Sequence, residues 1–218
     1  MIAEFIDIVL HLDVHLVRMV AEYGAWIYAI LFAIIFSETG FVVTPFLPGD
    51  SLLFVAGAVA ATGGMNAHLL VVLLVAAAFA GNMVNYAIGR WLGRHFFTDR
   101  GSRWLNPEHL EKAHAFYERH GGKAVIISRF LPIVRTYIPF VAGMGAMNPG
   151  RFTAFNLVGA VLWVGSLTYA GFFFGNIPWI KGNLTAIIVG IIVVSLAPLA
   201  IAYLRSRVAR RNSTAAVK

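Results

Sequence analysis

Four ionisable side chains stand inside otherwise apolar stretches of the sequence: Glu38, Asp50, Arg129 and Arg135. A charge at the centre of a bilayer costs at least about 2.5–3.5 kcal/mol on insertion scales, so each needs a partner or a use. The planar arginine fork matches the oxygens of a phosphate and stays protonated in almost any setting. A low-dielectric cavity disfavours the charged form of a carboxylate, which suits a proton carrier. The two acids come from one part of the chain and the two arginines from another, so opposite charges meet if those parts face each other. The plainer reading is two structural ion pairs that pin the fold. The sharper one is a transport site in which Arg129 and Arg135 hold a phosphate and Glu38 and Asp50 carry protons. Both can hold at once, because substrate or proton can compete for the same pairs.

Other reactive chemistry is sparse. There is no cysteine, hence no disulfide framework, thiol nucleophile or thiolate metal site. The seven histidines are His11, His15, His68, His95, His109, His114 and His120, and none lies within an apolar segment, His68 standing at the end of one. No HExxH, P-loop or GxSxG is present. His109 and His114, with Glu108, Glu111 and Glu118, read as a solvated helical face, because a five-residue spacing suits a helical metal pair poorly. A lipid phosphatase would need a histidine or an acid paired with a second base at one membrane face; Ser128 beside Arg129 does not supply it. No enzyme activity, metal or cofactor is expected.

The setting of the four charges is a membrane. The chain has 218 residues, of which 59% are hydrophobic and 12% charged, with mean hydropathy +0.77. A soluble domain carries about 25% charged residues. A bilayer core needs about 20 apolar residues as helix, and residues 24–43, 67–89, 152–180 and 184–204 each satisfy this. Two further apolar stretches are interrupted. Residues 41–65 contain Pro45 and Pro48, and residues 124–150 contain Pro132 and Pro139. Proline removes a backbone donor and breaks helices, and broken backbone at membrane depth survives only where protein or water surrounds it. Both stretches are therefore expected to be re-entrant hairpins, with these prolines as the breakers.

Residues 1–23 carry Glu4, Asp7, His11, His15, Arg18 and Glu22 at spacings of three and four, one polar stripe of a helix. It either lies in the interface or packs against the bundle. The start MIAEF lacks the basic n-region of a signal peptide. Seven basic residues between 90 and 123, and five more after Tyr203, mark two segments as cytoplasmic. Four spans with two hairpins satisfy that arrangement and put both termini inside. The net charge of +7 is thereby explained by topology and by attraction to anionic lipid heads, without nucleic acid. The organisation expected is an amphipathic helix at 1–23, a transport domain at 24–180, a last transmembrane helix at 181–204 and a basic tail at 205–218, in an all-α polytopic membrane protein.

The two hairpins resemble each other. Phe46-Leu47-Pro48 precedes Phe54-Val55-Ala56-Gly57 as Phe130-Leu131-Pro132 precedes Phe140-Val141-Ala142-Gly143. Downstream, Tyr86-Ala87-Ile88-Gly89 and Gly93 match Tyr169-Ala170-Gly171 and Gly175 loosely. Similar units of opposite orientation are a transporter signature, with the site at the repeat interface. Asn82, Asn85 and Asn156 read as bridges between helices. Ala76, Ala80, Gly81, Gly159 and Gly165 read as close-contact positions, and Trp26, Trp91, Trp104, Trp163 and Trp179 as an aromatic belt.

The sequence resembles the DedA family of bacterial inner-membrane proteins. The run Glu38-Thr39-Gly40, Pro45 through Ser51 and Ala56-Gly57 carries the first part of the likeness. Gly81-Asn82 through Asn85-Tyr86 to Gly89-Arg90 and Gly93 carries the second. His120-Gly121-Gly122, Ser128 through Pro132, Arg135, Pro139 and Ala142-Gly143-Met144 carry the third. Phe152, Phe155-Asn156, Gly159 and Trp163 complete it. The VTT domain of eukaryotic lipid scramblases is a more distant relative. The resemblance implies movement of polyprenyl phosphate carriers or phospholipids across the bilayer, dependent on the proton motive force. It places the family's essential acids on Glu38 and Asp50 and its essential arginines on Arg129 and Arg135. The function expected is translocation of undecaprenyl phosphate, or a related phospholipid, across the inner membrane. A proton-coupled transporter of small cations or drugs, an energy-independent scramblase and a structural membrane-organising protein are the alternatives. The expected partners are a lipid phosphate, membrane lipids and protons, with homo-oligomerisation left open.

Overall fold

The computed structural model describes residues 12–41, 49–96, 119–175, 177–183 and 190. Pro45 and Pro48, residues 1–11, nearly all of the segment 184–204, the basic tail and the cluster around His109 lie outside the described residues. Helices and short 3-10 turns make up the regular structure of what is described. In chain order these are α1 (Leu12–Tyr23), α2 (Trp26–Gly40), α3 (Gly49–Ala60), α4 (Ala67–Phe96), α5 (Ala124–Ile127), α6 (Pro132–Met144), α7 (Pro149–Phe174) and α8 (Pro178–Gly182). 3-10 turns at Gly121–Lys123 and Ser128–Phe130 flank α5.

Local chemistry sets several boundaries. Asn66 caps α4, its side-chain oxygen accepting from the Leu69 N–H at 3.0 Å, and Asn148 does the same for α7 from the Arg151 N–H at 3.2 Å. Pro149 and Pro132 occupy first-turn positions, where a missing N–H has no consequence. Leu131, held extended at φ −118° and ψ 103° by the proline that follows it, makes the break between the short helical run 124–130 and α6. Gly24 supplies a left-handed corner (φ 53°) between α1 and α2.

Two helices are long and apolar enough to cross a membrane among the described residues, at Ala67–Leu92 and Pro149–Phe174. The first expected span, 24–43, is shorter than anticipated. Its helix α2 has 15 residues, about 22 Å of rise, against a hydrocarbon core of about 30 Å. The segment 152–180 also divides, α7 ending at Phe174 and α8 starting at Pro178. Helix α3 is buried on nearly every side, as a core helix must be. Pro139 corrects the sequence reading: it does not break the second hairpin but lies inside α6 and is buried. A helix packed on all sides can hold one proline, because neighbours replace the lost hydrogen bond. The N-terminal helix packs against the bundle. Leu16 is buried in the main core, and the Arg18–Glu22 pair (2.8 Å) faces out.

The packing is reciprocal. Helix α3 lies on α7, and α6 lies on α4. A side chain added at Gly57 would strike the Thr168 carbonyl, and one at Gly171 the Phe54 carbonyl. In the other half, one at Gly143 would strike the Tyr86 carbonyl, and one at Gly89 the Phe140 carbonyl. Each crossing thus joins the Phe-Val-Ala-Gly run of one unit to the glycine of the other unit's long helix. Helices α4 and α7 run antiparallel: His68 meets Tyr169 at one end, Asn82 meets Asn156 in the middle, and Met83 meets Thr153 beyond. Each unit thus docks on the other's long helix in the same way, and the two long helices run in opposite directions. Two apolar cores result, one holding Leu74, Ala78 and Ala160, the other Tyr86 and Phe152. Asn82 and Asn156 fall between them on their respective helices.

Candidate functional site

The layer between the two cores is polar, and all four predicted ionisable residues converge there. Glu38 comes from the last turn of α2, and Asp50 from the first turn of α3. Arg129 stands in the 3-10 turn before the Leu131 break, and Arg135 in the first turn of α6 just after it. Arg135 donates from Nη2 to Glu38 Oε1 at 2.5 Å and from Nη1 to Asp50 Oδ1 at 2.7 Å. The same Asp50 oxygen accepts from Trp163 Nε1 at 2.9 Å. Glu38 is 1% exposed and Arg129 3%.

The pairing differs from the two ion pairs expected. Arg135 takes both carboxylates. Arg129 takes neither, and its Nη2 donates to Asn156 Oδ1 at 2.6 Å and to the Ala78 carbonyl at 3.2 Å. Among the described residues its Nε reaches no acceptor, nor does Glu38 Oε2 accept a hydrogen bond from a described side chain. Trp163 lies between the arginines, with the Arg135 and Arg129 guanidinium carbons 5.5 and 5.8 Å from its ring centre. Two positive and two negative groups thus share one buried site.

Glycine makes the fit possible at two points. A Cβ on Gly49 would land on the Glu38 carboxylate, so this acid rests against the backbone at the start of α3, where a helix end favours negative charge. A Cβ on Gly159 would lie 3.0 Å from Arg129 Cδ, so the arginine stem passes over bare α7 backbone. Glu38, Thr39, Asn82, Arg129, Arg135, Thr136 and Trp163 enclose a cavity of about 10 Å³. That volume admits about one water; a phosphate group requires the cluster to open.

The asparagines bridge helices, as their positions suggest: Asn82 to Asn156 at 3.1 Å, and Asn85 to the carbonyls of Thr39 and Thr136 at 3.3 and 2.9 Å. Asn156 and Trp163 also belong to the site, which sequence reasoning misses. Trp163 is not part of an aromatic belt. It is 2% exposed, whereas Trp26, Trp91 and Trp179 are 73%, 67% and 71% exposed. Its place in the middle of an uncharged segment, not at an end, is the signal that separates it. Among the described residues, Gly165 has open space where a side chain would go and Ala76 is exposed, so the close contacts expected of these two are not made there. Gly81, by contrast, packs on Thr39 and the Phe36 carbonyl.

The VTT domain profile matches residues 47–173. Protein DedA of Escherichia coli (strain K12) is 57% identical over 204 residues, 93% of each chain. A membrane protein of Mycobacterium leprae (strain TN) is 41% identical over 169 residues, 78% of this chain and 76% of that one. Inner membrane protein YqjA of Escherichia coli (strain K12) is 41% identical over 155 residues, 70% and 69% of the two chains. No solved structure matches. The chain belongs to the DedA family of membrane proteins, characterised by the VTT domain.

Proposed function

We propose that this protein translocates a lipid phosphate, specifically undecaprenyl phosphate, across the bacterial inner membrane in a proton-coupled cycle. One observation carries the reading: a buried, charge-balanced cluster of two arginines and two carboxylates lies between two antiparallel repeat units. A site at the interface of inverted repeats is the usual place for a transporter's substrate. Arg135, with its fork on both acids, is occupied in the closed arrangement. Arg129, held by neutral oxygens among the described residues, is the first contact for an arriving phosphate. Protonation of Asp50 or Glu38 loosens the acids from Arg135 and frees the second fork. The isoprenoid tail stays in lipid, along the apolar outer face of α7, where Leu157, Val158, Val161 and Leu162 are exposed. In the accompanying topology, both termini are cytoplasmic. The stretches 41–65 and 124–150 enter the membrane from opposite sides, and the chain spans it four times.

Flux of labelled undecaprenyl phosphate in proteoliposomes, with and without a pH gradient, tests this. The expected result is flux that rises with an imposed gradient. Flux indifferent to the gradient points to a scramblase. Transport of a small cation in its place points to a cation carrier, and no flux at all to a structural role.

A further inference from the structure

Asn156 is fully buried, and its Nδ2 donates to the Phe79 carbonyl at 3.0 Å. That bond turns the amide oxygen toward Arg129. Asn82 reinforces the arrangement. In one amide orientation it donates to Asn156 Oδ1; turned over, it offers its own oxygen to Arg129 Nη2 at 2.9 Å and its nitrogen to the Thr39 carbonyl at 3.3 Å. Every acceptor of Arg129 among the described residues is then a neutral oxygen. A buried guanidinium is ordinarily met by a carboxylate, and aspartate has the size and shape of asparagine. The other ionisable groups lining this layer are Glu38 and Asp50, both already on Arg135, and Arg135 itself.

We propose that Asn156 is a specificity-determining residue of the site. By holding Arg129 through a neutral amide, it leaves the charge of that guanidinium uncompensated at short range and so selects a phosphate-bearing anion. The inference rests on the anion-site reading above. An aspartate at position 156 would pair with Arg129 through the same atoms. The cluster would become net negative and repel a phosphate; the contact to Arg129 would strengthen, while the Phe79 carbonyl would lose its donor.

The test uses the full chain purified in detergent, with dodecyl phosphate and inorganic phosphate as probes in titration calorimetry. The unmodified chain is expected to bind dodecyl phosphate. Asn156→Asp should weaken that binding at least ten-fold in a chain that still melts cooperatively above the assay temperature. Both chains are compared at one fixed pH above the carboxylate range, so that protonation of Asp50 or Glu38, which would free Arg135, does not enter the comparison. Asn156→Ala, which leaves the charge unpaired but unheld, should weaken binding less than Asn156→Asp. Binding of both probes supports recognition of any phosphate, and binding of dodecyl phosphate alone supports a lipid headgroup. Two results would overturn the inference: unchanged binding by Asn156→Asp, or an equal loss with alanine. Failure of the unmodified chain to bind either probe would instead overturn the anion-site reading beneath it.

Discussion

Trp163 joins the two halves of the charge cluster through one side chain. Its indole N–H donates to Asp50 of the first unit, and its ring lies under both arginines of the second. Trp163→Phe keeps an aromatic face but deletes the bond to Asp50. A hydrogen bond to a charged group contributes about 1.5–3 kcal/mol, so thermal unfolding should show a lower melting temperature for this variant, with less loss than for Trp163→Leu. Arg135→Lys keeps the charge and loses the fork, which here reaches two different carboxylates. A lysine ammonium cannot reproduce the planar two-ended geometry. Function in a deletion strain should fall at least ten-fold; full complementation by Arg135→Lys and Arg129→Lys would favour a purely electrostatic pin. At this scale the sequence discloses which charges the fold must gather, since an ionisable residue in an apolar run is conspicuous. It does not disclose who pairs with whom. Both acids gather on Arg135, because α2, α3 and α6 end or begin at one point, and that is a property of packing. Trp163 is hidden for the same reason: in sequence a buried tryptophan looks like one at an interface.

The two glycine crossings hold the units together at the level of helices. Alanine at Gly57, Gly171, Gly89 or Gly143 would place a methyl group on the backbone of the opposing helix. Overpacking of this kind costs about 1–3 kcal/mol, and backbone against backbone leaves little room to yield. Each variant should lower the melting temperature or the yield of folded protein, while Gly165→Ala, facing open space, should do neither. Equal tolerance at all five positions would contradict the crossing geometry. The repeat itself is legible in the two Phe-Val-Ala-Gly runs. The reciprocal docking is not, because a repeated motif does not state whether it packs within its own unit or on the other. Proline is the converse case. Pro132 begins a helix, as its residue type suggests, and Pro139, read as a breaker, sits inside α6 because its surroundings are protein.

For the molecule as a whole, the proposed topology puts the turn after α3 outside and the glycines before α5 inside. The chain has no native cysteine, so single cysteines report cleanly. An impermeant thiol reagent applied from outside should label Gly63→Cys, in an exposed turn at φ 89°, and not Lys123→Cys, which is also exposed. Labelling of both from one side would overturn the inverted arrangement. Charge patterning carried this expectation as far as sequence can, since basic loops report orientation but not depth. The central claim is that a carboxylate of the cluster carries the proton that drives lipid phosphate movement. Asp50→Asn and Glu38→Gln keep shape and much of the hydrogen bonding but cannot cycle a proton. The most direct measurement is uphill flux of labelled undecaprenyl phosphate in proteoliposomes under an imposed pH gradient, comparing the unmodified chain with these two variants. The account predicts at least a ten-fold loss of uphill flux in one or both amide variants, with binding of dodecyl phosphate retained. Normal transport against the gradient by both variants would contradict it.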